Sequence, residues 1–307
     1  MLFDTIGALT PQKVLYTMKK NEELATVKKL THINNKKRIV LNEMGWTSRV
    51  YIVDNGKIVF KFPRNKKEQK AYEHEVNVLK LIKEHEFNIN VPCIHWIGED
   101  NAYIGFYGMQ GKSITTEAIE KLSEAKKRKI GTQIGLFLKK LHAIDYKGQN
   151  QSNESNEIEG FQKSFCKRKR VLKKQFNKNE LDALEDLVTS LLQKSAKLGI
   201  KEVFCHDDLG YNNILITDNY EVGVIDFGDA GIYDNSYDFI GLEDDVVLDA
   251  AILAYGGDEV LREKIAIRQQ LLPIMEMLFL IDRKDKEGVE KCASKMRIHL
   301  KQMAAKP

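Results

Sequence analysis

His206-Asp207-Asp208-Leu209-Gly210-Tyr211-Asn212-Asn213, followed shortly by Val224-Ile225-Asp226-Phe227-Gly228-Asp229, is the stretch on which the reading of this chain turns. Between the two segments, the apolar runs Ile214-Leu215-Ile216 and Val222-Gly223-Val224-Ile225 flank Asp218-Asn219, a pattern that predicts a hairpin. Asp208 stands five residues before Asn213, and Asp226 stands 13 residues after it. A carboxylate, an amide and a second carboxylate at the ends of one hairpin can converge on a single point. Two of them offer the hard oxygen ligands that magnesium takes, and the third can sit beside an attacking hydroxyl, as transfer of a phosphoryl group requires.

Working toward the N-terminus, the chain changes character. Thr10-Pro11 marks the start of an opening helix, with Pro at an early position. Arg38 to Leu41, Arg49 to Val53 and Lys57 to Phe62 read as strands, and Asn55-Gly56 closes a hairpin between the last two. Glu68 to Glu84 carries Val76, Val78, Leu79 and Ile82 as an apolar helical stripe, and a further strand pair is expected near Cys93 to Gly98 and Tyr103 to Tyr107. Beyond Gly111 the pattern turns to long helices: Ser123 to Ala143, Phe161 to Phe176, Glu180 to Leu198, and most of the chain after Val246. The polar stretch Asn150 to Glu159 reads as a loop. A β-rich lobe over residues 1–107, a hinge at 108–111 and a helical lobe over 112–307 are the expected domains.

The decisive stretch matches, in order and chemistry, the His-Arg-Asp and Asp-Phe-Gly elements of protein kinases. It lacks their Arg, and no Ala-Pro-Glu element follows, which argues against a protein substrate. His206-x-Asp208 with Asn213, then Ile225-Asp226-Phe227-Gly228-Asp229, resembles the aminoglycoside phosphotransferase family. The continuation Ala230 to Asp234, with Tyr237-Asp238-Phe239-Ile240, is similar to its 2″-phosphotransferase branch, as are Phe60-Lys61-Phe62-Pro63, Glu75 to Lys80 and Phe137-Leu138-x-x-Leu141-His142. The resemblance implies an α+β, protein-kinase-like two-lobed fold, with a small β-rich N-lobe and a larger, mainly helical C-lobe. It also implies transfer of the γ-phosphate of ATP or GTP, with Mg2+, to an aminoglycoside hydroxyl, the 2″-OH in that branch, and hence antibiotic resistance. Choline, methylthioribose, homoserine and macrolide kinases share the core motif and stand as alternatives.

Residue by residue, the resemblance gives Asp208 the substrate hydroxyl, Asn213 and Asp226 the magnesium, and Lys61 the α- and β-phosphates. Glu75, 14 residues after Lys61, is the expected ion-pair partner, with Glu68 and Glu73 as competitors. The phosphate loop Asn42 to Ser48 holds a single glycine, Gly45, so backbone N–H groups and the Ser48 or Thr47 hydroxyl are expected to cap phosphates. Tyr107 and Met109 fall in the segment whose backbone would meet the purine. His206 is expected to brace the loop, Asp207 to stay out of the chemistry, and His142 to be a packed structural histidine.

Charge distribution sharpens the acceptor side. The net charge is +4, yet Glu202 to Leu261 contains 15 acidic residues and no Lys or Arg. The remainder holds 48 basic residues against 29 acidic ones, so one face is set for cations and another for anions. Asp229, Glu243, Asp244 and Asp245 are the expected acceptor carboxylates, complementary to a small cationic substrate. Helix N-terminal charge is a second reading for Glu243 to Asp245, and a plain loop role is one for Asp229. The basic run Lys163 to Lys178 interleaves apolar residues at helical spacing and reads as a solvated helix rather than a nucleic-acid patch. No stretch approaches the roughly 20 apolar residues of a membrane span. Met1 to Gly7 lacks a signal-peptide pattern, and Cys93, Cys166, Cys205 and Cys292 show no paired spacing. A cytoplasmic, monomeric enzyme without nucleic-acid or membrane partners is the expectation.

Overall fold

The computed structural model describes residues 17–147 and 157–304. The helix expected from Thr10-Pro11, and most of the polar stretch after Asn150, lie outside the described residues. Chain contacts divide the protein into two compact units, one of residues 1–85 and 92–109, the other of residues 86–91 and 110–307.

In the first unit a helix α1 (Lys20–Thr31) precedes strands β1 (Ile39–Asn42), β2 (Ser48–Val53) and β3 (Ile58–Pro63); helix α2 (Lys66–Lys83) precedes β4 (Ile94–Ile97) and β5 (Ile104–Tyr107). They form one antiparallel sheet in the order β1-β2-β3-β5-β4. Asp54, Asn55 and Gly56 all take positive φ (50°, 58° and 90°), the backbone that a tight right-twisting turn demands and that Asn and Gly accept most readily. That turn sets Val53 opposite Ile58 and puts Phe60 and Phe62 on the buried face, each 0% exposed, where a phenyl ring contributes about 1.5–3 kcal/mol. Tyr51, Trp96 and Tyr103 pack around the two rings. Helix α1 is tied to the sheet by an ion pair: the Arg49 guanidinium grips the fully buried Glu23 carboxylate, which also accepts from the Tyr51 hydroxyl at 3.1 Å. The Asn65 side chain caps α2 by accepting from Lys67 N and Glu68 N.

The second unit opens with β6 (Lys112–Ser113), α3 (Thr116–Glu120), α4 (Glu124–Leu141), α5 (Glu157–Gln175) and α6 (Lys178–Leu198). Four short strands follow, β7 (Glu202–Cys205), β8 (Ile214–Ile216), β9 (Val222–Val224) and β10 (Gly231–Asp234), then α7 (Asp245–Tyr255), α8 (Glu259–Arg283) and α9 (Lys286–Ala304). The expected hairpin is β8–β9, with β6 added at its edge; β7 pairs with β10. Residues 86–91 join this unit because the Asn90 backbone bonds both Val222 and Val224.

Helices α4 and α7 touch through their backbones. A Cβ at Gly131 would stand 2.2 Å from Val247 O, and one at Gly135 2.2 Å from Ala251 O. Helices α5, α6, α8 and α9 share a separate core that includes Phe165, Leu172, Leu184, Leu191, Leu271, Ile274 and Met296. The basic run is the outer face of α5: Phe165, Leu172 and Phe176 point inward, whereas Lys167, Arg170, Lys173 and Lys174 are exposed. Arg168 pairs with Asp282 and Lys169 with Glu185.

Candidate active site

In the first unit the side chain of Lys61 lies on the central strand β3. Its ammonium donates to both oxygens of Glu75 on α2, at 2.7 and 2.9 Å, and stands 5.8 Å from the Tyr72 ring centre. Glu75 is 3% exposed, whereas Glu73 lies on the solvent side of the helix and Glu68 in its first turn. Only Glu75 of the three meets the lysine, because positions 72, 75, 76 and 79 form the inward stripe of α2. The loop between β1 and β2 is pinned from below: the Arg64 guanidinium donates to Gly45 O at 2.9 Å and also to Glu43 O. Ser48 is buried and its hydroxyl shares a 2.6 Å hydrogen bond with Tyr72, so it serves as the foot of the loop. Tyr107 is exposed, with His95 and Trp96 against its ring, and Met109 is half-buried. Gly108 between them donates its N–H to Lys57 O, and any Cβ there would strike Gly56 O.

In the second unit β7 delivers His206 to Asp208 directly out of a buried strand. The His206 ring is fully buried against Phe227 and its Nε2 bonds Ile225 O at 3.0 Å, which links the loop after β7 to the one after β9. Asn213 Nδ2 donates to Asp208 Oδ2 at 2.7 Å and to Asp208 O at 2.8 Å. Ile225 N donates to Asn213 O at 3.0 Å, so Asp226 follows immediately beside Asn213. The sequence-predicted trio is therefore brought together. Asp207 and Asp226 both take left-handed backbone (φ 65° and 68°), a conformation that costs energy and recurs where a side chain must be aimed.

The site's carboxylates differ in protonation. Asp208 keeps solvent access at its tip. Partial burial, with the charges of Asp229 and Asp226, still raises its pKa above the ordinary value, against the pull of His206 and the Asn213 amide. Asp207 is pushed up to about 8, first by burial and then by Asp238, Asp229 and Asp208, although its bond with the Tyr233 hydroxyl opposes this. A carboxyl that stays largely protonated at neutral pH, and bonded to a tyrosine, is poorly placed to compete with Asp208. Using the Asn213 amide nitrogen on Asp208 leaves the amide oxygen, with the Asp226 carboxylate, as a hard donor pair that fits magnesium.

Of the four expected acceptor carboxylates, Asp229, Glu243 and Asp245 are exposed. Glu243 accepts from the Thr116 hydroxyl at 2.7 Å. Asp244 is committed elsewhere: one oxygen caps α7 through Val246 N and Val247 N, and the other takes the Lys127 ammonium at 2.6 Å. Burial would raise its pKa, but Lys127 and the capping N–H groups outweigh that and lower it. The helix-terminal reading of the acidic cluster therefore holds for Asp244. What sequence reasoning left unassigned is Asp238, whose buried carboxylate accepts from His206 N and Asp207 N, both at 2.8 Å. Its only signal was the position of Tyr237-Asp238-Phe239 within the resemblance.

An antiparallel sheet with a Lys–Glu pair, joined in one chain to a helical unit carrying this Asp-Asn-Asp set, defines the class of protein-kinase-like phosphotransferases. The family described as the phosphotransferase enzyme family (APH) matches residues 38–266, and the chain belongs to it. Among solved structures, the GDP and kanamycin complex of an aminoglycoside 2″-phosphotransferase superposes with a TM-score of 0.79 at 20% identity, over 91% of this chain and 98% of that one. The gentamicin complex of the 2″-phosphotransferase IIa gives 0.73 at 20% identity, over 92% and 97%. A macrolide 2′-phosphotransferase from Brachybacterium faecium gives 0.69 at 17%, over 90% and 98%. At such identities the likeness shows the fold. No helix among the described residues is long and apolar enough to cross a membrane.

Proposed function

We infer that the protein transfers the γ-phosphate of ATP or GTP to a hydroxyl of an aminoglycoside, the 2″-OH by its resemblance to the 2″-phosphotransferases, and so confers resistance. The observation that carries the phosphoryl-transfer part is the convergence of Asp208, Asn213 and Asp226 in one loop pair. In this reading Asp208 orients the acceptor hydroxyl and takes up its proton as the oxygen attacks phosphorus. Asn213 and Asp226 would hold Mg2+, which when bound neutralises charge on the phosphate oxygens. Lys61, fixed by Glu75, would contact the α- and β-phosphates. The backbone of the loop above Ser48 would cap them, and the chain around Tyr107 and Met109 would meet the base.

The acceptor class rests on Asp229, Glu243 and Asp245, exposed carboxylates close in sequence to the metal aspartate and suited to ammonium groups. It is also supported by the relatives solved with kanamycin and gentamicin. A choline-type aromatic cage finds less support. Tyr211 is buried with its hydroxyl on Asp244 N, and one face of Tyr237 is covered by the Arg268 guanidinium at 4.4 Å. The test is nucleotide turnover, with ATP and with GTP, against a panel of 4,6-disubstituted aminoglycosides, a macrolide, choline and methylthioribose. Turnover with kanamycin or gentamicin alone is expected. Turnover with the macrolide or choline instead, and none with any aminoglycoside, would overturn the acceptor assignment and leave the phosphotransferase one standing.

A further inference from the structure

Behind the loop that carries Asp208, a single line of hydrogen bonds runs through three elements. The Tyr255 hydroxyl, at the end of α7, lies 3.1 Å from His142 Nδ1. His142, at the C-terminus of α4, places Nε2 2.9 Å from Asp238 Oδ2. Asp238 is 0% exposed, and its carboxylate also receives His206 N on Oδ2 and Asp207 N on Oδ1, each at 2.8 Å. Asn235 Nδ2 reaches the Tyr255 oxygen at 3.5 Å from the other side. With Asn235 donating to Tyr255, the phenol hydrogen goes to Nδ1, and Nε2 carries the hydrogen that Asp238 accepts. The directions of all three donors agree with a tautomer that carries its hydrogen on Nε2.

The arrangement does more than fill space. Full burial disfavours a charged carboxylate, yet the His142 bond, His206 and the backbone donor outweigh it and hold the Asp238 pKa below its ordinary value. The two backbone N–H groups it holds belong to His206 and to the left-handed residue Asp207, directly before Asp208. The His142 ring itself is set edge-on against Phe239 and Tyr255, at 6.5 and 5.3 Å between centroids.

We propose that His142, oriented by Tyr255, is a positioning residue for phosphoryl transfer: acting through Asp238, it fixes the backbone of His206 and Asp207 and thereby the carboxylate of Asp208. The proposal rests on the phosphotransferase reading above, so its test has one arm that needs no substrate. In that arm, amide hydrogen exchange at His206 and Asp207 is followed by NMR on the protein alone. His142→Leu should speed exchange about tenfold, as expected for losing one charge-assisted hydrogen bond. His142→Gln, whose amide supplies a donor near the Nε2 position, should stay near the wild-type rate.

In the second arm, kcat of His142→Leu should fall by about 10²-fold, the penalty for a displacement near 1 Å at a reacting group, with nucleotide KM unchanged. His142→Gln should recover most of that loss, and Tyr255→Phe, which keeps the ring packing, should lose less than the Leu variant. Equal loss in the Leu and Gln variants, or unchanged exchange in the Leu variant, would overturn the proposal. Should His142→Leu fail to fold, Tyr255→Phe decides: wild-type kcat and wild-type exchange there would sink it. Exchange that follows these expectations, with no turnover on any acceptor in wild type, would overturn the phosphotransferase reading and leave the tether supported.

Discussion

Two sets of aspartates share the span from residue 207 to 238 and live in opposite conditions. Asp234 and Asp238 are 1% and 0% exposed and saturated with donors. Asp234 takes Lys264 Nζ at 2.7 Å, Lys201 N at 2.8 Å and the Ser236 hydroxyl at 2.6 Å, with Arg268 at 3.4 Å. Asp208, Asp226 and Asp229 are exposed, and the second oxygen of Asp208 accepts no hydrogen bond among the described residues. Charge repulsion within such an acidic stretch is tolerated because Asp234 is neutralised by Lys264 and Arg268 from α8, and Asp238 is held by His142 and two backbone N–H groups. The second set faces solvent, where a cation from outside can reach it. The acidic window thus holds a structural clamp and, in the function proposed above, a receptor for positive charge.

The sharpest way to break that division is Asp208→Ala. Turnover should fall by about 10²–10⁴-fold, the usual worth of a general base, with the unfolding transition unchanged. Near-wild-type kcat would remove Asp208 from the chemistry. Asp226→Asn belongs with it: magnesium-dependent nucleotide binding should disappear, as it should in wild type with EDTA, while metal-free binding stays as it was.

The clamp should respond in stability instead. Lys264→Met leaves Asp234 buried with a charge short one partner, a loss of about 3 kcal/mol in urea unfolding. Acid should expose the same group. Burial raises the Asp234 pKa, but Lys264, Ser236, Lys201 and Arg268 together lower it below its unfolded value. The stability it contributes is therefore complete above the ordinary carboxylate pKa, about 4, and is lost as pH falls below it. Asp234→Asn should flatten that acid limb; an unaltered limb would mean that other carboxylates set it.

Smaller effects are expected at the receptor side. Asp229→Asn with Glu243→Gln should raise acceptor KM about ten- to hundredfold and leave nucleotide KM alone, at about 1.4 kcal/mol per tenfold. Added salt should weaken acceptor binding in the same direction. Asp244→Asn should do the reverse, leaving acceptor KM within about twofold and costing stability through the lost cap and the Lys127 pair. An Asp244 variant that binds acceptor poorly but unfolds normally would return that residue to the receptor.

The sheet of the first unit was legible because its signals are local: Asn55-Gly56 fixes a turn, and the alternation through Phe60 and Phe62 fixes a face. The Asp208, Asn213 and Asp226 set was legible for the same reason, since one hairpin carries all of it. Strands β7 and β10 went unread, since four residues each, paired across 25 intervening positions, give no periodicity to detect. The commitment of Asp244 to Lys127 joins residues 117 positions apart, and that of His142 to Asp238 joins residues 96 apart. Only packing reveals such pairs. His142, read as a packed histidine, is packed indeed, but both of its ring nitrogens are in use.

Gly131 and Gly135 lie where α4 and α7 meet backbone to backbone, and the ends of those same helices present His142 and Tyr255. Neither glycine has a side chain with which to do chemistry. In a saturation screen scored on turnover, both positions should nevertheless behave like active-site residues. Even alanine would wedge the two rods apart and lift the histidine away from its partner. A map of intolerance would then draw a false second centre along this seam. The two kinds of position part company only when protein abundance is scored alongside activity: the glycine variants should lose both, and the Asp208 variants activity alone.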